Sequence, residues 1–214
     1  MKLRALLWTT IALVAVSAIV GAALYSRLPD RVPTHFDMHG RPDGFTSKPI
    51  AVLVDPVALA LLGLMFLVLP AIAPKGYRLE PFLRVYEIIA IAALTMIFAD
   101  LMLALWFALG HRIDVGRALT LSLGLLFIVI GNYLGKVTRN FFVGIRTPWT
   151  LASEEVWLRT HRVGGPLFVA GGAVIVIASL AGTTSALVVT IPVIVGLALF
   201  LTVYSYVLYR RIEG

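Results

Sequence analysis

The chain has 214 residues, of which 60% are hydrophobic and 14% charged, at a mean hydropathy of +0.96. Soluble domains carry roughly 25% charged residues, so the polar surface is too small to coat a water-soluble globule and lipid must solvate most of the exterior. The absence of cysteine removes disulfides and thiolate chemistry, and the formal charge of +7 is to be read by its position relative to apolar runs, not as a nucleic-acid footprint.

The first apolar run, residues 5–25, follows Lys2 and Arg4. It is longer than a signal-peptide core and more runs follow it, so it reads as a retained helix. The loop at residues 26–49 comes next. Pro29, Pro33, Pro42 and Pro49 with Gly40 and Gly44 forbid a regular helix and favour extended pieces, with Pro42-Asp43-Gly44 as a turn. Strand periodicity puts His35, Asp37 and His39 on one side. Such a trio is compatible with zinc or copper, but hydrogen bonds that pin the loop explain it as well, so no metal is assigned.

Further runs cover residues 50–73, 85–109, 118–134, 164–181 and 186–208, which makes six spans. Each reaches across a hydrocarbon core of ~30 Å at ~1.5 Å per residue. They lack the alternation of barrel strands, and backbone groups inside a membrane must be paired within the segment, so helices are expected. Among the acids in these runs, Asp55 and Glu87 fall near the ends, where they can be solvated or snorkel. Asp100 lies deeper, nine residues before Leu109. It must face protein or a water-filled cavity, as a proton or cation site or as a tie between helices. Gly124, Gly131 and Gly135, and then Gly164, Gly165, Gly171 and Gly172, mark close helix contacts.

Between the fourth and fifth spans lies a second polar segment, residues 131–165. Thr147 followed by Pro148 has the form of a helix start, so a short amphipathic helix is expected from Pro148 or Leu151. On it, Trp157, Thr160, His161 and Gly164 share a face at helical spacing. A lipid anchor would need the tryptophans Trp149 and Trp157 and the arginines. It would not need Asn132, Asn140, Arg146, Thr150 and His161 as well. Arg146 is expected to be held by Asn132, Asn140, Glu154 and backbone carbonyls, and His161 to face the same interior as Asn132 or Asn140.

Lys and Arg number 12 on the side of the termini and the second and fourth loops, against 6 on the other side. The positive-inside rule then puts both termini in the cytoplasm, residues 26–49 outside and residues 131–165 inside. The expected architecture is all-α: one integral membrane domain over residues 1–214, a bundle of six transmembrane helices with an ordered outer loop and a cytoplasmic amphipathic segment. No sequence repeat relates the two halves.

Two stretches resemble a known family. The loop with Pro33, His35-Phe36-Asp37, Gly40, Asp43-Gly44 and Lys48-Pro49, together with Gly131-Asn132, Asn140, Gly144-Ile-Arg-Thr-Pro-Trp-Thr150 and Trp157-x-x-Thr-His-Arg162, is similar to the signature of the SdpI family of bacterial membrane immunity proteins. The motifs occur in the family's order and span nearly the whole chain. The resemblance implies a multi-pass protein of the bacterial cytoplasmic membrane that protects against a secreted toxic peptide and, with toxin engaged, sequesters a cytoplasmic transcriptional repressor. It also implies a ligand or structural-polar site drawn from His35, Phe36, Asp37, Gly40, Asn132, Asn140, Arg146, Thr147, Trp149, Thr150, Trp157, Thr160 and His161, to which the membrane depth of Asp100 adds that residue. Membrane lipids are the other expected partner. No cofactor and no direct nucleic-acid contact are expected. No Ser-Lys or His-Glu-x-x-His arrangement is present to suggest an enzyme. The rival expectation is a small ion-coupled transporter using Asp100.

Overall fold

The computed structural model describes all residues except 1–2, 38–39 and 78, with the side chains of 183–185 also outside the description. It is an all-helical bundle with six helices long and apolar enough to cross a membrane. In chain order these are α1 (Arg4–Leu24), α2 (Lys48–Val68), α3 (Leu83–Ala108), α4 (Val115–Leu134), and, after a one-turn helix α5 (Pro148–Ala152), α6 (Glu154–Ala181) and α7 (Thr183–Ile212). Between α1 and α2 the chain forms an antiparallel hairpin of β1 (Arg31–Phe36) and β2 (Pro42–Ser47). An even number of spans leaves both termini at one end of the bundle and the hairpin at the other.

The first three helices pack through small residues and a few polar ties. A Cβ placed on Gly21 would lie 2.7 Å from the Val52 side chain, and Gly63 seats the Thr10 side chain, so α1 and α2 approach closely at both ends of their contact. Pro70 has no N–H for the carbonyl of Phe66 one turn earlier. Tyr86 Oη on α3 donates to that carbonyl at 2.5 Å instead. Glu87 accepts from the Leu6 amide at 3.0 Å and so satisfies an orphan donor of the first turn of α1. Glu87 is therefore a trans cap rather than a merely solvated acid. Asp55 departs further from expectation. It lies on the buried stripe Ala51, Asp55, Leu59, Gly63 of α2, is only 7% exposed, and does not snorkel, because the hairpin folds over that face.

The hairpin itself turns at a different place from the one the sequence suggests. Pro42-Asp43-Gly44 is not the turn but the start of β2. The strands are linked beyond Phe36 instead, where the Asp37 side chain and backbone carbonyl accept from the amides of Arg41 and Gly40, and Gly40 adopts a φ of +73° that a side chain would resist. Leu28, Val32, Ala51 and Leu105 form a small core under the hairpin, and the Phe36 ring meets Phe107 edge to face at 5.2 Å.

In the second half α4 and α6 make the most extensive helix contact of the molecule. A Cβ on Gly131 would stand 2.7 Å from the Gly165 carbonyl, and one on Gly172 would stand 2.6 Å from the Gly124 carbonyl. Backbone thus meets backbone at these glycines, with the Val169 and Ile128 side chains packed beside them. Helix α6 also begins earlier than expected. Ser153 caps it through the Val156 amide, Glu154 and Glu155 favour its first turn, and it runs unbroken through Gly164, Gly165 and Pro166. The separate interfacial helix is thus reduced to α5, and Trp157 and His161 sit on the first turns of the fifth span, with Trp157 fully buried rather than at a lipid surface.

Gly131→Ala is expected to destabilise the protein by about 1–3 kcal/mol through forced separation of α4 and α6. Gly135→Ala, where a Cβ meets nothing within 4 Å, serves as the matched control and is expected to be neutral. Thermal unfolding in detergent distinguishes the two, and equal midpoints would contradict the backbone seam.

Candidate functional site

The expected site residues fall into two groups at opposite ends of the bundle, with Asp100 between them. At the hairpin end, His35 is 73% exposed and its Nδ1 lies 2.5 Å from Asp43 Oδ1 on the neighbouring strand. His35 thus pairs across the ladder instead of joining Asp37, which is used in the turn. His39 lies outside the described residues, and no group of three potential metal ligands occurs among the residues that are described. Phe36 anchors the hairpin to α3, and Gly40 brings the turn to the start of α4, where a Cβ would lie 3.6 Å from the Gly116 amide. Asp100 accepts from Ser122 Oγ at 2.8 Å, which ties α3 to α4.

The second group is denser. Residues 135–147 leave α4, fold back over the end of the α4–α6 seam and enter α5, so their backbone groups are withdrawn from water and need partners. Asn140, fully buried, supplies four. Its Oδ1 accepts from the amides of Phe142 (2.8 Å) and Val143 (2.7 Å), while its Nδ2 donates to the carbonyls of Thr138 (2.8 Å) and Val143 (2.9 Å). Gly144 follows at φ +115°, close against the His161 ring, where a Cβ would collide with Nε2. That approach lets His161 Nε2 accept from the Ile145 amide at 2.9 Å, while Nδ1 is 2.8 Å from the Trp157 carbonyl. A carbonyl only accepts and an amide only donates, so this pair of bonds requires a neutral imidazole with its proton on Nδ1. The ring is 1% exposed and stacks on Trp157 at 4.0 Å, and Trp157 Nε1 donates to the Val137 carbonyl at 2.7 Å.

Thr147 and Thr150 then form a reciprocal capping box for α5, and Thr150 Oγ1 also donates to the Ile145 carbonyl at 2.9 Å. Thr147 Oγ1 reaches Ser205 Oγ at 2.9 Å, tying the loop to α7, and Trp149 packs on Tyr206 at 5.0 Å. Thr160 is fully buried with its hydroxyl unpartnered. Asn132 is exposed and donates back to the Ile128 carbonyl, and with His161, Lys136 and Arg162 it lines an open cleft of about 510 Å³ between α4 and α6.

Arg146 differs from expectation. It is exposed and donates to the Phe141 carbonyl, and neither Asn132, Asn140 nor Glu154 is among its partners. Asn140 and His161 organise the loop instead, because short buried groups reach the backbone amides that a long surface side chain cannot. Three supporting residues were not anticipated. Arg139 caps the carbonyls of Leu151 and Ala152 at 3.2 and 3.4 Å and lies over the Tyr77 ring, Ser153 donates to Glu213 at 2.8 Å, and Ser205 receives Thr147. A serine before two glutamates was the legible signal for Ser153, whereas Arg139, distant in sequence from the carbonyls it reaches, carried none. For Ser205 the sequence carries none.

Residues 136–205, which include the loop, α5, α6 and most of α7, match the SdpI/YfhL protein family. That match lies within the second half of the chain. Residues 12–60, which include the hairpin and the first half of α2, match a domain of unknown function (DUF1648). Over 206 residues, 96% of either chain, the sequence is 27% identical to the Immunity protein SdpI of Bacillus subtilis (strain 168). No solved structure matches. The two matched regions coincide with the two ends at which polar side chains are gathered.

Asn140→Ala is expected to cost about 1–3 kcal/mol for each of the two amides it leaves unsatisfied. Arg146→Lys, on the surface, is expected to change stability by no more than about 0.5 kcal/mol. Unfolding midpoints of the two variants in the same detergent provide the check, and an Asn140→Ala protein as stable as Arg146→Lys would overturn the assignment of Asn140 as the organiser.

Proposed function

We propose that this multi-pass membrane protein is an immunity protein that gives its host resistance to a secreted toxic peptide without catalysing a reaction. The observation that carries this reading is the colinear similarity to Immunity protein SdpI along 96% of both chains, covering hairpin and folded loop alike. In this reading both termini are cytoplasmic, in keeping with the 12 to 6 distribution of Lys and Arg. The hairpin then faces outward, with exposed His35 and Phe45 available to a peptide. The loop around Asn140 faces the cytoplasm, where the basic cleft with Lys136 and Arg162 is the surface offered to a sequestered repressor.

The alternative of an ion-coupled transporter rests on Asp100. Its hydrogen bond to Ser122 gives that acid a structural task between α3 and α4, which favours the immunity reading.

Two measurements test the proposal. Reporter fusions at Gly214 and after Gly44 are expected on opposite faces of the membrane with Gly214 cytoplasmic, and a cytoplasmic signal at Gly44 would refute an outward hairpin. Cells with and without the gene, challenged with membrane-active toxic peptides, are expected to survive differently. Phe36→Ala, which frees the hairpin from Phe107, is expected to abolish protection while the protein still reaches the membrane. Equal survival across the panel would contradict immunity.

A further inference from the structure

Beneath the hairpin, β1, α2 and α3 enclose a cavity of about 110 Å³ whose lining includes Val32, Thr34, Val54, Asp55, Leu101 and Leu105. The volume is enough for several waters or one small organic group. Its walls are apolar apart from Thr34 and one acid. That acid, Asp55, is 93% buried, and its Oδ2 has no hydrogen-bond partner. The neighbouring charged groups do not compensate it. Lys48, at the start of α2, donates to the Leu28 carbonyl and lies 3.8 Å from Asp30, while Asp100 on α3 turns to Ser122 on α4. Asp55 is ~10 Å along α2 from Lys48 at the helical rise, too deep for bulk water to solvate it. An unpaired carboxylate there costs several kcal/mol, and such a group is retained where something arrives to pair with it.

We propose that this cavity is a binding site for a primary alkylammonium group, with the ammonium on the Asp55 carboxylate and the alkyl stem against Val32, Val54, Leu101 and Leu105. Each feature of the pocket selects that chemistry. Calcium takes six to eight oxygen ligands, and magnesium needs an octahedral oxygen shell, for which one carboxylate and one hydroxyl are too few. A guanidinium presents a planar fork that wants two acceptors side by side, whereas a single unpaired oxygen suits a point charge on a flexible apolar stem. The same chemistry is carried by a free amine and by a lysine side chain of a peptide reaching under the hairpin. The site stands whether or not the immunity reading holds.

The test uses the full-length purified protein in nanodiscs and reads its thermal midpoint. n-Butylammonium chloride is expected to raise the midpoint progressively with concentration, as a ligand of the folded state must. n-Butanol, which has the stem without the charge, and sodium chloride at equal ionic strength are expected to give no such rise. Asp55→Asn removes an uncompensated charge, so that variant is expected to fold, with a midpoint no lower than wild type, and to lose the response. Ala104→Leu fills the cavity from α3 while leaving the carboxylate in place, and is also expected to lose it. An acetylated and amidated Ala-Lys-Ala peptide separates the sources: a rise with the peptide assigns the site to a lysine side chain, and a rise with butylammonium alone assigns it to a free amine. No response of wild type to either amine, an equal response to butanol or sodium chloride, or a response that persists in both variants would overturn the site.

Discussion

At Gly124, Gly131, Gly165 and Gly172 the backbones of α4 and α6 touch, and much of the termini-end architecture follows from that approach. Residues 135–153 double back over the end of this seam to reach the start of α6. Doing so buries amides and carbonyls that no regular element pairs. In a membrane protein, water cannot be counted on to satisfy them. The side chains around the turn are the ones that can reach: Asn140 takes two amides, His161 one, and Thr147 and Thr150 close the first turn of α5. Trp157 provides the flat surface on which the imidazole is set, and its own indole N–H is spent on Val137.

The other half of the bundle is held on a different principle. Several polar atoms within it are matched singly: the carbonyl that Pro70 orphans receives Tyr86, the first turn of α1 receives Glu87, and Thr10 donates back to Leu6 within its own helix beside Gly63, while the buried Ser17 hydroxyl on α1 has no partner. Against that background the unpartnered Oδ2 of Asp55 stands out, because it lies where the hairpin, α2 and α3 meet. The hairpin is thus more than a connection between α1 and α2. It is the cover of a charged cavity, and the Phe36–Phe107 contact sets how firmly that cover is held. The hairpin cover at one end and the braced loop at the other are joined by α3, α4 and the Asp100–Ser122 tie.

Hydropathy and charge were enough to read the six spans, since bilayer thickness and backbone pairing leave few alternatives for such apolar runs. The location of the second polar site was legible too, from the density of Asn, Thr, Trp and His between residues 132 and 161. What the sequence concealed were consequences of tertiary contact. A local signal at Pro42-Asp43-Gly44 lost to the positive φ of Gly40 and the Asp37 bonds, because cross-strand pairing decides which of two competing turns is used. Asp55 seemed solvated by its distance from the helix start. Its place on the four-residue stripe with Ala51, Leu59 and Gly63 was the available clue that it faces inward. Arg146 seemed the natural organiser of the loop, and charge misled there, since five donors are of little use on a side chain that stays at the surface.

The folded-back loop is fixed to α6 through the His161 imidazole, and nitrogen-15 NMR of histidine-labelled protein in nanodiscs reads that bond, with the His161 signals assigned by their loss in His161→Phe. At neutral pH the ring is expected to be protonated on Nδ1, with Nε2 bare and hydrogen-bonded to the Ile145 amide. A ring protonated on Nε2 would contradict it, because that nitrogen could no longer accept from the loop and the bond between residues 145 and 161 would not exist.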